Sequence, residues 1–189
     1  MRLSWLPNAL CIARILLAGP TAYALYMGRY ELTLVLFAVA AISDGLDGWL
    51  AKHFGWTTRL GKILDPIADK VLLVMLFVTL VWIGLVPLWL ALAAVFRDVV
   101  IVLGAACYTL FIGHVEGHPT RISKLNTLLQ ICFGLGVIAD AAWDLMAPAF
   151  LMVLGAATFV TTIVSGLDYV LTYARDAVRE RRGAAAGAR

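Results

Sequence analysis

Charge is the scarcest property of this 189-residue chain, because Asp, Glu, Lys and Arg together make up only 14% of it. Soluble globular domains carry about 25% charged residues, so the composition excludes an ordinary soluble fold. Hydrophobic residues account for 62% of the chain, and apolar runs of about 20 residues, enough to span a bilayer, recur along it. The sequence therefore predicts an all-α, polytopic membrane protein.

Cysteine is also scarce, which removes a second group of folds. Cys11, Cys107 and Cys132 lie in different apolar segments without the spacing of a metal site, so a zinc site or a disulfide framework does not organise the chain. No repeat or linker divides the sequence. We expect one membrane domain at 1–175 and a basic, flexible cytoplasmic tail at 176–189. The tryptophans lie near the ends of apolar segments, as membrane anchors do, and we expect no nucleic-acid partner.

Six transmembrane helices are predicted from the apolar segments. Their ranges are 8–28, 32–53, 66–86, 88–112, 122–143 and 148–173. Lys and Arg concentrate at one set of helix ends, namely Arg2, Arg14, Lys52, Arg59, Lys62, Arg121, Lys124, Arg175, Arg179, Arg181 and Arg182. The opposite ends offer Arg29 alone. Because Lys and Arg favour the cytoplasmic side, we expect a multi-pass protein of the inner (cytoplasmic) membrane with both termini in the cytoplasm.

Four aspartates interrupt the second and third apolar segments. Asp44 and Asp47 are followed by Gly48 and Ala51 at helical spacing, so two carboxylates and two very small residues share one helix face. Asp65 and Asp69 are also one turn apart. We expect Asp65 to be an N-cap, with Pro66 in the first helical turn; capping explains neither Asp69 nor the other pair.

Burying four carboxylates in an apolar environment is costly unless cations neutralise them. Oxygen-only clusters favour hard cations such as Mg²⁺ or Mn²⁺. A pair of such ions is suited to phosphoryl transfer, with one carboxylate available as a general base. Lys52 lies where it would meet an anionic ligand. The remaining alternative is a cation or proton transporter, in which intramembrane acids are also common.

This segment resembles the signature of the CDP-alcohol phosphatidyltransferase family, D-x2-D-G-x2-A-R-x8-G-x3-D-x3-D. Its positions are matched, with every spacing kept, at Asp44, Asp47, Gly48, Ala51, Gly61, Asp65 and Asp69. Lys52 replaces the usual Arg; it keeps the charge but loses the bidentate fork. Pro7, Asn8 and Arg14 resemble a second family element, P-N-x5-R.

The resemblance implies an enzyme with a binuclear Mg²⁺ or Mn²⁺ site held by the four aspartates, with Asp69 also the base on the acceptor hydroxyl. It implies that CDP-diacylglycerol is the donor, that CMP is released, and that the enzyme is a homodimer. The nucleotide would be bound at the positions equivalent to Asn8, Asp47, Gly48, Ala51, Lys52 and Gly61.

The acceptor is indicated by shorter similarities. Arg97-Asp98 and residues 122–127 resemble the CDP-diacylglycerol-dependent cardiolipin synthases, which implies phosphatidylglycerol as acceptor and cardiolipin as product. Phosphatidylglycerophosphate synthase, using glycerol 3-phosphate, is the alternative. Ser123 and Asn126 replace a Gly and a Lys that are more frequent in that enzyme, and a single negative charge on the acceptor requires fewer cations. The candidate acceptor-binding residues are Arg97, Arg121, Lys124 and Asn126.

Overall fold

The computed structural model describes the backbone of residues 6–54, 61–111 and 120–187, and the side chains of 9, 11–43, 68, 70–104 and 120–172. These parts of the chain contain six α-helices and no β-strand, which confirms the all-α prediction. The helices are α1 (Leu6–Tyr26), α2 (Tyr30–Phe54), α3 (Gly61–Trp82), α4 (Leu88–Phe111), α5 (Arg121–Trp143) and α6 (Pro148–Gly187).

Two helix boundaries differ from those expected. α3 begins at Gly61, so the prediction that Asp65 caps this helix is wrong. Pro66 is the sixth helical residue, and near a helix start its fixed φ is compatible with the helix while its missing N–H removes a single hydrogen bond. α6 continues to Gly187, well beyond the expected end at 173, because the Ala, Arg and Glu residues that follow favour helix.

Tight turns make α1 antiparallel to α2, and α3 antiparallel to α4. Gly28 adopts a left-handed φ of 71° after α1, and Gly84 adopts 78° after α3. In the first turn the Gly28 N–H donates to Leu25 O at 3.0 Å and the Arg29 N–H to Ala24 O at 2.9 Å. These two bonds satisfy carbonyls that the helix end leaves open, in an arrangement that favours glycine.

An apolar core joins α1, α2, α3 and α5. We use this name for Leu25, Phe37, Leu72, Leu76, Phe77, Leu80, Phe133 and Ile138, all of which are buried. α1 packs against α2 and α3, α5 packs against α2 and α6, and α4 packs against α6. At Gly134 a Cβ would lie 2.8 Å from Leu76 Cδ2, so α5 and α3 approach each other closely where glycine has no side chain.

The outer surface of the helices is apolar. Leu16, Phe96 and Met152 are each more than two-thirds exposed, and many other large hydrophobic side chains are more than 40% exposed. In the described residues, two helical segments are long and apolar enough to cross a membrane, Arg121–Trp143 and Pro148–Thr172. Three further apolar segments, Cys11–Tyr26, Tyr30–Ser43 and Lys70–Trp82, are shorter than this criterion requires.

Candidate active site

The four aspartates lie on two continuous helices. Asp44 and Asp47 belong to α2, and Asp65 and Asp69 belong to α3. Because residues three or four apart share a helix face, the two positions of each pair lie on the same face of their helix. The expected nucleotide residues of these helices, Gly48, Ala51, Lys52 and Gly61, and Asn8 of α1, are helical as well. The side chains of all nine residues lie outside the described part of the chain.

The two aspartate pairs lie toward the same end of the bundle. α2 ends at Phe54 and α3 begins at Gly61. The chain between them spans at most about 25 Å when extended, whereas helices of this length measure about 33–37 Å. α1 packs against both helices. Among the described side chains, no group of three or more His, Cys, Asp or Glu residues could hold a metal ion.

A mostly buried group of charged and hydroxyl side chains joins α3, α4, α5 and α6. We call it the polar cluster; it consists of Lys70, Arg97, Asp98, Ser123 and Ser165. Lys70 Nζ and Arg97 Nη1 each donate to Asp98 Oδ1 at 2.7 Å. Arg97 is 4% exposed and Asp98 is 6% exposed. The buried arginine therefore has the anionic partner that its apolar surroundings require.

Arg97 connects α4 to both neighbouring helices. Its Nη2 donates to Ser123 Oγ of α5 and to Ser165 Oγ of α6, both at 2.6 Å, and its Nε donates to Ser165 Oγ at 3.2 Å. Together with the bond to Asp98, four of the five guanidinium N–H groups have protein acceptors. Gly166 of α6 lies against the same side chain, since a Cβ there would be in ordinary van der Waals contact with Arg97 Cγ, 3.5 Å away.

Polar side chains continue between α5 and α6. Asn126 is fully buried, and its Oδ1 lies 3.0 Å from Thr161 Oγ1 and 2.8 Å from Thr162 Oγ1. Both hydroxyls also lie within 2.9 Å of carbonyls one turn earlier, on Ala157 and Thr158. Each hydroxyl has one hydrogen and cannot donate to the Asn126 oxygen and to a carbonyl at once. If the amide oxygen and nitrogen of Asn126 are exchanged, the amide nitrogen donates to both hydroxyls, and each hydroxyl donates to its carbonyl.

The exchanged orientation of the Asn126 amide also gives its nitrogen hydrogen-bond acceptors. As oriented, the Asn126 Nδ2 is buried without an acceptor in the described residues. We therefore assign the amide nitrogen of Asn126 to the threonine side, because buried donors are rarely left unpaired. One turn further along α5, the Nε2 of Gln130 is also buried without an acceptor in this part of the structure.

The other expected acceptor-binding residues lie at the start of α5. Thr120 caps this helix, its Oγ1 accepting from the Ser123 N–H at 3.2 Å. Arg121 and Lys124 in the first turn are exposed. The four candidates thus divide into two buried side chains, Arg97 and Asn126, and two accessible cations. Ser123, between them in sequence, connects the helix start to the polar cluster.

Two members of the polar cluster were missed by the sequence analysis. Lys70 directly follows Asp69, and Ser165 lies in the middle of an apolar segment. The signal for Lys70 was available: a lysine in one apolar run and Asp98 in the next are each costly alone, and pairing them reduces that cost. Ser165 carries no such signal, since serine is common at helix contacts in membrane proteins.

Comparison with known proteins defines the class. The profile of the CDP-alcohol phosphatidyltransferase family matches residues 4–164, which include all four aspartates and the polar cluster except Ser165. The chain therefore belongs to the CDP-alcohol phosphatidyltransferase family.

Individual relatives carry two kinds of name. A probable cardiolipin synthase (CMP-forming) of Drosophila melanogaster is 34% identical over 88% of this chain and 56% of its own length. A cardiolipin synthase (CMP-forming) of Streptomyces coelicolor is 33% identical over 92% of this chain and 85% of its own. A probable phosphatidylglycerophosphate synthase of Mycobacterium tuberculosis is 30% identical over 93% and 84%.

The relatives also differ in length. This chain spans 56% of the Drosophila protein, and 64% and 60% of two mammalian cardiolipin synthases (CMP-forming), from rat and human. The matched region accordingly makes up somewhat more than half of these animal proteins, but most of the two bacterial ones.

Proposed function

We propose that this chain is an enzyme that transfers the phosphatidyl group of CDP-diacylglycerol to the hydroxyl group of phosphatidylglycerol, giving cardiolipin and CMP. The observation that carries the proposal is the family motif, whose four aspartates occur at every expected spacing on two continuous helices. The names of the Drosophila and Streptomyces relatives support the choice of acceptor. Membership of a transferase family leaves the transporter alternative without support.

Two divalent cations, Mg²⁺ or Mn²⁺, are part of the proposal, with Asp44, Asp47, Asp65 and Asp69 as their ligands. The family is generally dependent on divalent cations. The four residues suit these ions, since hard cations prefer carboxylate oxygens and each of the two helices carries two aspartates one turn apart. When bound, the ions would stabilise negative charge on the pyrophosphate and on the leaving phosphate.

Asp69 is the proposed base. Its carboxylate accepts the proton of the acceptor hydroxyl. The hydroxyl oxygen then forms a bond to the phosphatidyl phosphorus, and the bond from that phosphorus to the bridging oxygen breaks. CMP departs with the bridging oxygen and the electron pair of that bond, and Asp69 releases its proton to water. The nucleotide is held by Asn8, Asp47, Gly48, Ala51, Lys52 and Gly61, and the acceptor by Arg97, Arg121, Lys124 and Asn126.

We place all six helices across the inner membrane, with both termini and the active site on the cytoplasmic side. Each helix has at least 21 residues, about the length that a bilayer requires. Large apolar side chains are exposed along the bundle. Trp82, Trp89 and Trp143 are each more than half exposed near helix ends, where membrane anchors lie. A homodimer is proposed from the family resemblance alone.

Phosphatidylglycerophosphate synthase remains the second candidate, with glycerol 3-phosphate as acceptor. The Mycobacterium relative, which this chain covers over most of its length, supports it. So does the surplus of positive charge near the start of α5, where Arg121 and Lys124 are exposed, because a phosphomonoester carries more negative charge than a phosphodiester.

The decisive experiment offers labelled CDP-diacylglycerol and one acceptor at a time to the purified protein in detergent or lipid discs. We expect cardiolipin and an equal amount of CMP with phosphatidylglycerol, and no turnover when a chelator removes Mg²⁺ and Mn²⁺. Robust conversion of glycerol 3-phosphate with no cardiolipin formed would contradict the acceptor and favour the second candidate. Full turnover in excess chelator would contradict the metal site.

A further inference from the structure

α3 places a lysine immediately after the proposed base. The Cα atoms of Asp69 and Lys70 are about 3.8 Å apart, as in any trans peptide. Successive helix residues are rotated by about 100° about the helix axis, so Asp69 and Lys70 occupy adjoining faces of α3. Lys70 is directed toward α4, where its Nζ reaches Asp98 Oδ1. The polar cluster therefore lies at the same depth in the bundle as Asp69.

Lys70 is the accessible member of its charged group. Its side chain is 21% exposed, whereas the side chains of Arg97 and Asp98 are 4% and 7% exposed. An ammonium group has three N–H donors, and within the described residues one of them is used, by Asp98. Arg97, by contrast, directs four of its five donors to Asp98 and two serines. A phosphate could be bound by Lys70 without breaking a hydrogen bond, but not bidentately by Arg97.

The charges of this region also favour an anion. Lys70 and Arg97 share a single carboxylate oxygen, that of Asp98. Among the described residues these two cations face one carboxylate, so the group carries one excess positive charge, which favours the approach of a further anion. The cluster reaches the start of α5 through Ser123, where the exposed Arg121 and Lys124 add positive charge in the same part of the bundle.

We propose that Lys70 binds the phosphate oxyanion of the acceptor, and that Asp98 holds the ammonium group in place for it. The proposal rests on the proposed function, since it identifies a substrate-binding residue of that reaction. The shared chemistry is a phosphate oxygen, supplied either by the phosphodiester of phosphatidylglycerol or by free glycerol 3-phosphate. Arg97 fixes α4, α5 and α6 around this site, and its fifth N–H, which has no acceptor among the described residues, is left for the acceptor.

The test uses two variants that differ in charge at one position. Lys70→Gln removes the charge and keeps a hydrogen-bond donor on a side chain that is one atom shorter, and Lys70→Arg retains the charge. Loss of a charge-assisted hydrogen bond should raise the acceptor KM of Lys70→Gln by about 10-fold or more. The KM for CDP-diacylglycerol should be unchanged, and Lys70→Arg should restore most of the loss. Arg29→Gln is the matched control, because it removes one exposed positive charge at the opposite end of the bundle.

The role of Asp98 is tested by a double-mutant cycle. Asp98→Asn removes the carboxylate charge that holds Lys70, so it should raise the acceptor KM on its own. Combined with Lys70→Gln, it should add much less than its separate effect, because the two residues act as a unit. Additive effects on KM would overturn the positioning role of Asp98.

A binding measurement separates this proposal from the proposed function. The thermal unfolding midpoint is recorded with added phosphatidylglycerol, with added glycerol 3-phosphate and with neither, in the absence of CDP-diacylglycerol. We expect one of the two to raise the midpoint of the unaltered protein and of Arg29→Gln, but not of Lys70→Gln. Equal midpoint shifts in Lys70→Gln and the unaltered protein, or no shift with either acceptor, would overturn the role of Lys70. Absence of CMP release with both acceptors would contradict the proposed function, while the midpoint shifts would still decide the role of Lys70.

Discussion

The two buried regions of this protein are held together in different ways. In the apolar core, Leu76, Phe77 and Phe133 fill the space between helices, and their van der Waals contacts are not directional as hydrogen bonds are. In the polar cluster, Asp98 receives hydrogen bonds from α3 and α4, and Arg97 extends them to α5 and α6. Lipid is as apolar as leucine, so apolar contacts between membrane helices select position less sharply than directed bonds do. The polar cluster is therefore the region that fixes four helices relative to one another.

α3 belongs to both regions, and its two halves have different tasks. Its N-terminal half carries Asp65, Asp69 and Lys70, whereas its C-terminal half supplies Leu72, Leu76 and Leu80 to the apolar core. A substitution in the first half should change chemistry with little effect on folding, and one in the second half should do the reverse. This division can be tested along a single helix.

The largest effect is expected at Asp69. Asp69→Asn should lower kcat by about 10²–10⁴-fold, because an amide cannot accept the hydroxyl proton. The thermal unfolding midpoint should stay near that of the unaltered protein. CMP release and CDP-diacylglycerol binding are measured separately, with Asp44→Asn as the comparison, since loss of that ligand should weaken nucleotide binding together with turnover. Near-normal kcat in Asp69→Asn would exclude Asp69 as the base.

Removing Arg97 should have the largest effect on folding. Arg97→Ala deletes bonds to three residues and leaves two buried serine hydroxyls without their donor. We expect a loss of about 3 kcal/mol in the free energy of unfolding, as for a broken buried ion pair. Arg97→Lys keeps the charge but cannot reach both serines in the same planar arrangement, so its loss should be intermediate. Equal stability of Arg97→Ala and the unaltered protein, measured by denaturant titration, would contradict the clamping role.

Much of the fold could be predicted because apolar periodicity and the positions of Lys and Arg define helices and their ends. Five of the six helices begin within two residues of the expected positions, α3 being the exception. Arg97 and Asp98 are neighbours in the sequence, and the structure joins their side chains by a hydrogen bond of 2.7 Å. The four aspartates could be grouped because helical spacing alone brings each pair to one face.

The polar cluster could not be predicted in full, because it depends on contacts between helices. The spacing of residues within one helix gives no information about such contacts. The bond from Lys70 to Asp98 and the bonds from Arg97 to Ser165 join residues on different helices. Asn126 shows the same difficulty. It replaces a Lys that is more frequent in phosphatidylglycerophosphate synthases, but the position is fully buried against two threonines. We expect Asn126→Lys to reduce the amount of folded protein, because it would bury an unpaired charge.

The stability of the apolar core should depend on the volume of its side chains and not on charge. Leu76→Ala should cost about 2 kcal/mol in the free energy of unfolding, near the lower end for such substitutions because lipid is also apolar. Gly134→Ala places a Cβ 2.8 Å from Leu76 Cδ2, and overpacking of this kind costs about 1–3 kcal/mol. In the Leu76→Ala background the cost of Gly134→Ala should largely disappear. Additive losses, or a fall in kcat without loss of stability, would contradict the proposed division of α3.

The smallest expected effect is at Lys52, and it tests whether the charge outside both buried regions contributes to binding. Lys52→Ala should raise the KM for CDP-diacylglycerol by about 5–10-fold, because the proposed contact of this cation with the pyrophosphate would contribute about 1 kcal/mol. Lys52→Arg should lower this KM or leave it unchanged, since the guanidinium fork matches phosphate oxygens better than an ammonium group. The acceptor KM should not change in either variant, in contrast to Lys70→Gln. A change in the acceptor KM of Lys52→Ala, with the KM for CDP-diacylglycerol unaffected, would place Lys52 on the acceptor side of the site and remove the distinction between the two lysines.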